Sequence, residues 1–280
     1  MLTVKNLYFA YPNSTNVLSA VDLEFHKGNI YGLFGKNGEG KSTLLKLIAG
    51  LLFPLSGDCH LHNTPTKKRQ PHILQDIFLV PEDFELPSVQ IRHYEKINAP
   101  FYPNFSKTQF YELLEEFKLS PSNLISNLSF GQKKKVLIAF GIAANTPLLL
   151  MDEPTNGLDI PSKSQFRKVM ASAVDHGKCI VISTHQIRDL HSLINHVVIL
   201  DDSKVVMNQA LEALSEQLWF GKASKEDPED IMYTEATFGG RAILARGERD
   251  ETEIDLELLF NGVIEAGAKI NEHIKMKTHV

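Results

Sequence analysis

The sequence predicts an α/β fold: a parallel-stranded core with an antiparallel β subdomain, a helical insertion and a small C-terminal α+β module. Three observations carry this reading. Residues 35–42 read Gly-Lys-Asn-Gly-Glu-Gly-Lys-Ser, between the β-prone run Ile30-Tyr31-Gly32-Leu33-Phe34 and an apolar stripe of Leu44, Leu47, Ile48 and Leu51 at helical spacing. Two further apolar runs, 148–152 and 178–184, have the length and branching of buried strands, one ending in Asp152 and the other preceding His185. Between them and the glycine-rich loop, residues 82–127 switch to helical patterning.

Taken in order, residues 2–11 and 17–25 are β-prone and flank the turn-rich Pro12-Asn13-Ser14. Residues 54–57 end the helix that follows the glycine loop, and short strands are expected at 59–62 and 76–80. The helical insertion spans about 83–127, where Ser106-Lys107-Thr108-Gln109 is a capping-box start for the stripe Phe110, Leu113, Leu114 and Phe117. Residues 136–144 read as a mostly buried helix, and 196–200 as another buried strand turning back through Asp201-Asp202-Ser203. A boundary at 208/209 separates residues 1–208, the main domain, from a C-terminal module of 209–280. That module reads as a short helix at 210–220, a charged linker at 221–230 and a hairpin of 233–237 with 241–246 around Gly239-Gly240. Thr252-Glu253-Ile254-Asp255 then opens a helix with Leu256, Leu259, Phe260, Val263 and Ile264 on one face.

Composition narrows the function. Of 280 residues, 43% are hydrophobic and 22% charged, an ordinary globular balance with ample core. The net charge of −5 gives no general pull toward nucleic acid, and none is expected as a partner. Lys133-Lys134-Lys135 read as solvated positions in the first turns of a helix. Cys59 and Cys179 are too few for a disulfide framework and too distant for a zinc motif, which fits a reducing cytosol. Residues 1–11 lack the basic and apolar regions of a signal peptide. The longest nearly uncharged stretch, 136–151, is interrupted by Asn145-Thr146-Pro147 and is too short to span a bilayer. Work at a membrane would therefore go through a partner.

The loop fits G-x-x-x-x-G-K-[ST], the phosphate-binding loop of nucleoside-triphosphate hydrolases, and makes the core that of a P-loop NTPase. Its glycines let backbone N–H groups curl around phosphate oxygens, and the helix N-terminus adds a positive dipole end. Lys41 reaches the β- and γ-phosphates, and Ser42 offers a hydroxyl to Mg²⁺. Hydrolysis also needs a metal-holding carboxylate and a group to orient water. Asp152, at the C-terminal edge of its strand, supports the Mg²⁺ shell, and Glu153 serves as general base.

Leu128-Ser129-Phe130-Gly131-Gln132, read alone, is a helix cap. Together with Asp152-Glu153-Pro154-Thr155-Asn156-Gly157-Leu158-Asp159 and with His185, it resembles the ATP-binding subunits of ABC transporters over residues 2–207. The resemblance implies a set of roles. Tyr11 stacks on adenine. Gly35, Lys36, Asn37, Gly38, Glu39, Gly40, Lys41 and Ser42, with Thr43 after them, form the Walker A loop that binds ATP with Mg²⁺. Residues 148–152 form the Walker B strand, with Glu153 as catalytic glutamate. Ser129, Gly131 and Gln132 belong to the signature that reaches across a dimer to a partner's γ-phosphate. Residues 156–159 form the D-loop at that interface, and His185 is the switch histidine. The insertion grips a transmembrane permease. The chain is then an ATPase on the cytoplasmic face of the membrane, working as a head-to-tail homodimer.

With three departures from the family pattern and a C-terminal module, the chain most resembles the subunits paired with ABC-2-type exporters. Glu82 stands where a glutamine is usual, and is assigned to both nucleotide and metal binding; Phe130 stands for glycine, and Lys36 for proline. The rival readings are a soluble ABC ATPase acting on ribosomes or DNA, and a nucleotide-gated regulator with little turnover. The first usually carries tandem ATPase domains or coiled-coil inserts, which this chain lacks, and intact Glu153 and His185 argue against the second.

Overall fold

In a computed structural model the described residues are 1–12, 16–173, 177–223, 230–238, 240–247 and 253–277. The chain opens with two long strands, β1 (Leu2–Ala10) and β2 (Asn16–Phe25), then β3 (Asn29–Phe34) and α1 (Lys41–Ile48). Next come β4 (Ser56–Leu61), the two-residue β5 (Thr64–Pro65), α2 (Pro71–Leu74) and β6 (Ile77–Val80). The insertion supplies α3 (Ile91–Asn98) and α4 (Lys107–Glu116) and leads into α5 (Phe130–Ala143). Then follow β7 (Leu148–Asp152), α6 (Ile160–Ala173), β8 (Cys179–Thr184), β9 (His196–Asp201) and β10 (Lys204–Ala210). The C-terminal part holds α7 (Leu211–Ser215), β11 (Leu218–Lys222), β12 (Ile231–Thr237), β13 (Gly240–Arg246) and α8 (Leu256–Lys277).

Three sheets organise these elements. The central one has the order β10-β9-β3-β8-β7-β6; all its pairings are parallel except the β9–β10 hairpin. An antiparallel sheet, β2-β1-β4-β5, covers one side. A third, β11-β13-β12, carries α8. Successive side chains of a strand point to opposite faces, and a parallel sheet buries both. Here Leu149 and Met151 of β7, with Ile180 and Ile182 of β8, enter the core shared with α5 and α6. Leu148, Leu150, Cys179 and Val181 enter the core shared with β1, β2 and α1. Burial pushes the thiols of Cys59 and Cys179 up to about 12, so both behave as small apolar residues.

The structure corrects the local reading in four places. Helix α1 stops at Ile48 because Gly50 turns left-handed at φ 68, so Leu51 lies outside the stripe and is 49% exposed. Ser106 caps α4 by accepting from Gln109 N, but the Gln109 side chain accepts from Asn145, so only half of a capping box forms. The helix expected at 210–220 is α7 alone; from Leu218 the chain is strand β11, paired with β13. Asp255, whose carboxylate accepts from Glu257 N and Leu258 N, caps α8; Thr252 lies outside the described residues. Asn13, Ser14, Gly239 and residues 224–229 of the charged linker lie outside them as well.

Residues past 208 pack into the main core. Leu214, Leu218, Phe220, Leu244, Leu259 and Ile270 share one apolar cluster with Val197, Ile199 and Met207. Asn271 donates to the Val206 carbonyl at 2.9 Å. No helix among the described residues is long and apolar enough to cross a membrane.

Candidate nucleotide site

The C-terminal ends of β3, β8 and β7 lie side by side, and the residues following each strand meet in one cleft of about 670 Å³. From β3 comes the phosphate loop. Gly40 sits at φ 93, and a Cβ there would lie 2.9 Å from the Val17 carbonyl, so only glycine fits this bend against β2. Lys41, 6% exposed, donates to the carbonyls of Gly35 at 2.8 Å and Lys36 at 3.0 Å. Burial lowers its pKa, and the carboxylates of Glu153, Asp152, Glu82 and Glu39 oppose the shift. Asn37, Gly38, Gly40, Lys41, Ser42 and Thr43 line the cleft. Lys36 reaches 3.7 Å from Asp201, and Glu39 accepts from Ser203 N at 3.5 Å; neither residue is in the lining of the cleft.

Strand β7 delivers Asp152 and Glu153, which are 3% and 4% exposed. Asp152 Oδ1 accepts from Ser42 Oγ at 2.9 Å and from Ser183 Oγ at 2.6 Å. A hydroxyl beside a buried carboxylate suits Mg²⁺, which keeps several waters and takes one or two protein ligands plus phosphates. Glu153 is left-handed at φ 45, and its carboxylate is held from two directions. Oε2 accepts from Thr184 Oγ1 at 3.0 Å; Oε1 accepts from His185 N at 3.0 Å and lies 2.8 Å from His185 Nδ1. A neutral ring that donates Nδ1–H to Glu153 presents only an acceptor at Nε2. Donation from Nε2 to a phosphate therefore requires release of Nδ1 or protonation of both nitrogens.

Tyr11 stands at the mouth, 40% exposed, its hydroxyl 3.1 Å from Thr43 Oγ1 and its ring edge-on to Phe9. Glu82, from the loop after β6, lines the cleft and accepts from Asn156 Nδ2 at 2.9 Å. Ser129, Gly131 and Gln132 do not join it. They form the first turn of α5, where Ser129 Oγ accepts from Gln132 N and Gln132 Oε1 accepts from Ser129 N, a complete capping box.

The lysine run departs from its sequence reading. Lys134 is 0% and Lys135 9% exposed, so two of the three are buried. Lys134 Nζ donates to the carbonyls of Glu153 at 3.0 Å and Asn156 at 3.2 Å; Lys135 Nζ donates to Gln165 Oε1 at 2.9 Å. The sequence reading gives no role to Ser183 or Thr184, and it places Asn156 at a dimer interface, whereas here Asn156 lines this cleft. For the first two the signal is present: two hydroxyls closing an apolar strand ahead of His185.

A profile described as ABC transporter matches residues 18–156. The chain is 32% identical to a methionine import ATP-binding protein, MetN, of Carboxydothermus hydrogenoformans, over 83% of this chain and 75% of that one. It is 28% identical to the SkfA peptide export ATP-binding protein SkfE of Bacillus subtilis, over 78% of this chain and 92% of that one. Among solved structures, a dimeric ATP-binding cassette in a post-hydrolysis state with ADP and Pi superposes with a TM-score of 0.66 at 25% identity. That match covers 75% of this chain and 99% of the other. The phosphate loop, the paired carboxylates and the histidine thus stand on the fold of such cassettes, and the chain belongs to the ABC transporter ATP-binding proteins, as an ATP-hydrolysing subunit.

Proposed function

We propose that two copies of the chain close head to tail around two MgATP molecules and drive a transmembrane permease in export, from the cytoplasmic face. One observation carries the shared-site part. The chain gathers Lys41, Ser42, Asp152, Glu153 and His185 in one cleft, yet leaves Ser129 exposed on a helix start outside it. A signature that serves its own nucleotide would line its own cleft; one that serves a second copy would face out. The export direction rests on Glu82, Phe130, Lys36 and the C-terminal module, since relatives named for import and for export match at similar identity.

In this reading the Lys41 ammonium leaves the two loop carbonyls for β- and γ-phosphate oxygens, and the loop N–H groups hold the rest of the triphosphate. Ser42 and Asp152 would hold Mg²⁺, which would supply charge neutralisation for the triphosphate when bound. Glu153 takes the proton of the attacking water, and His185 orients that water and the γ-phosphate. Tyr11 stacks its exposed ring on adenine. Residues 83–127 meet the permease, and residues 209–280 brace the segment after His185. That brace is the Arg188–Glu257 ion pair at 2.6 Å and the bond between His191 Nε2 and the Ile254 carbonyl at 2.6 Å.

Fractionating cells that express the intact chain tests the setting. Recovery with salt-washed membranes is the expected result; sedimentation with ribosomes would favour the soluble alternative. A second experiment addresses Glu82. An ionised glutamate accepts hydrogen bonds and ligates metal but donates nothing, so Glu82→Ala should affect the metal side more than the nucleotide. The Mg²⁺ needed for half-maximal hydrolysis should rise about tenfold or more, with ATP binding near that of the parent and permease-stimulated turnover uncoupled. An unchanged Mg²⁺ titration would reduce Glu82 to the acceptor for Asn156.

A further inference from the structure

A lysine with no exposed surface is costly unless polar groups surround its ammonium. Lys134 is 0% exposed, and its two hydrogen bonds go to the carbonyls of Glu153 and Asn156. Its Nζ also lies 5.1 Å over the ring of Phe130, which stacks on Phe84 at 5.1 Å. Burial lowers its pKa, and Glu82, Asp152 and Glu153 oppose that shift.

The carbonyls it holds bound the turn that follows β7. Glu153 begins that turn at φ 45, a conformation that a non-glycine residue keeps only where its surroundings impose it. Asn156 N closes the turn on the Glu153 carbonyl at 3.1 Å. A second point of attachment is steric: a Cβ on Gly131 would lie 2.9 Å from the Gly157 carbonyl. The first turns of α5 are therefore clamped to residues 153–157, by an ammonium at one place and by close backbone approach at another.

We propose that Lys134 is a positioning residue that ties the Ser129 end of α5 to Glu153 of the same chain. A shift of α5 on engaging or leaving a nucleotide then moves the turn that sets the Glu153 carboxylate. This rests on the reading that Glu153 activates water and that Ser129 serves the other copy's ATP. Under that reading, one side chain links the two ATP sites of a dimer.

Purified intact chain carrying Lys134→Met, Lys134→Gln or Lys134→Arg tests it, with MgATP binding measured beside kcat. For Lys134→Met, binding should stay within about twofold while kcat falls about 10- to 100-fold, the scale of a misplaced reacting group. Lys134→Arg should recover part of kcat. Lys134→Gln, with one neutral donor, should fall between, and it substitutes for Met if that variant does not fold. Combining Ser129→Ala with Lys134→Met should cost no more than the larger single change, because residues acting as a unit are not additive. Unchanged kcat in Met and Gln variants overturns the proposal. Loss of binding and kcat in proportion in all three makes Lys134 a structural strut and also overturns it, and an additive cycle removes the link to Ser129. Normal hydrolysis by Glu153→Gln would instead reject the underlying reading, whatever the lysine variants do.

Discussion

Glu153→Gln binds MgATP as tightly as the parent and hydrolyses it about 10²–10⁴-fold more slowly, the usual worth of a positioned general base. The expectation follows from how the side chain is held. Glu153 is 4% exposed, with Oε1 accepting from His185 N at 3.0 Å and Oε2 from Thr184 Oγ1 at 3.0 Å. A glutamine keeps the shape and one acceptor oxygen, and its NH₂ can donate to Thr184 Oγ1, because a hydroxyl accepts as well as donates. The fold and the phosphate loop therefore stay intact while the proposed proton acceptor is lost. ATP-bound dimers should accumulate, which size-exclusion chromatography with and without MgATP detects. A variant with near-normal turnover would take Glu153 out of the base role. The same measurement weighs the nucleotide-gated alternative, for which the substitution changes little because little was hydrolysed.

How much of this site was legible in the sequence depends on where its parts get their partners. The phosphate loop and the Asp152-Glu153 pair are contiguous motifs whose flanking strands announce themselves by apolar runs, so residues and context were readable together. Lys134 was not. Its partners are backbone carbonyls 19 and 22 residues further on, and backbone groups leave no mark in a sequence. Helix α5 is also buried on nearly every side from Lys134 onward, so helical phase does not say which lysine of three turns inward. The strand β11 was missed for a related reason. Leu211, Leu214 and Leu218 continue a helical spacing, and only pairing with residues 242–246 fixes Leu218 as strand. Glu82 could be named as a departure, but its hydrogen bond to Asn156, 74 residues away, is a product of the β6–β7 pairing.

Lys41→Ala abolishes productive triphosphate binding, and its defect is repaired in part by a copy that carries a different lesion. Lys41 is the ammonium poised at the loop, bonded to the carbonyls of Gly35 and Lys36. Its loss removes charge-assisted bonds to the phosphates, and one such donor is worth about 10²–10³-fold in rate. Ser129→Arg should be equally inactive, by placing a bulky cation where a γ-phosphate is to be met. It also removes an N-cap whose Oγ accepts from Gln132 N, which costs about 0.5–2 kcal/mol, so thermal melting must confirm that the variant is folded. In a head-to-tail pair, each site combines Lys41 of one copy with Ser129 of the other. A dimer of Lys41→Ala with Ser129→Arg then holds one doubly damaged site and one intact site. Mixing the two inactive proteins should restore hydrolysis, rising with the heterodimer fraction and reaching at most the output of one site. Dimer closure is measured alongside turnover, because two sites that must fire together would close without full turnover. Heterodimers that form, close on MgATP and stay wholly inactive fit that strict coupling. Heterodimers that form and never close on MgATP would place Lys41 and Ser129 in the same site of one chain, against their separation across the fold.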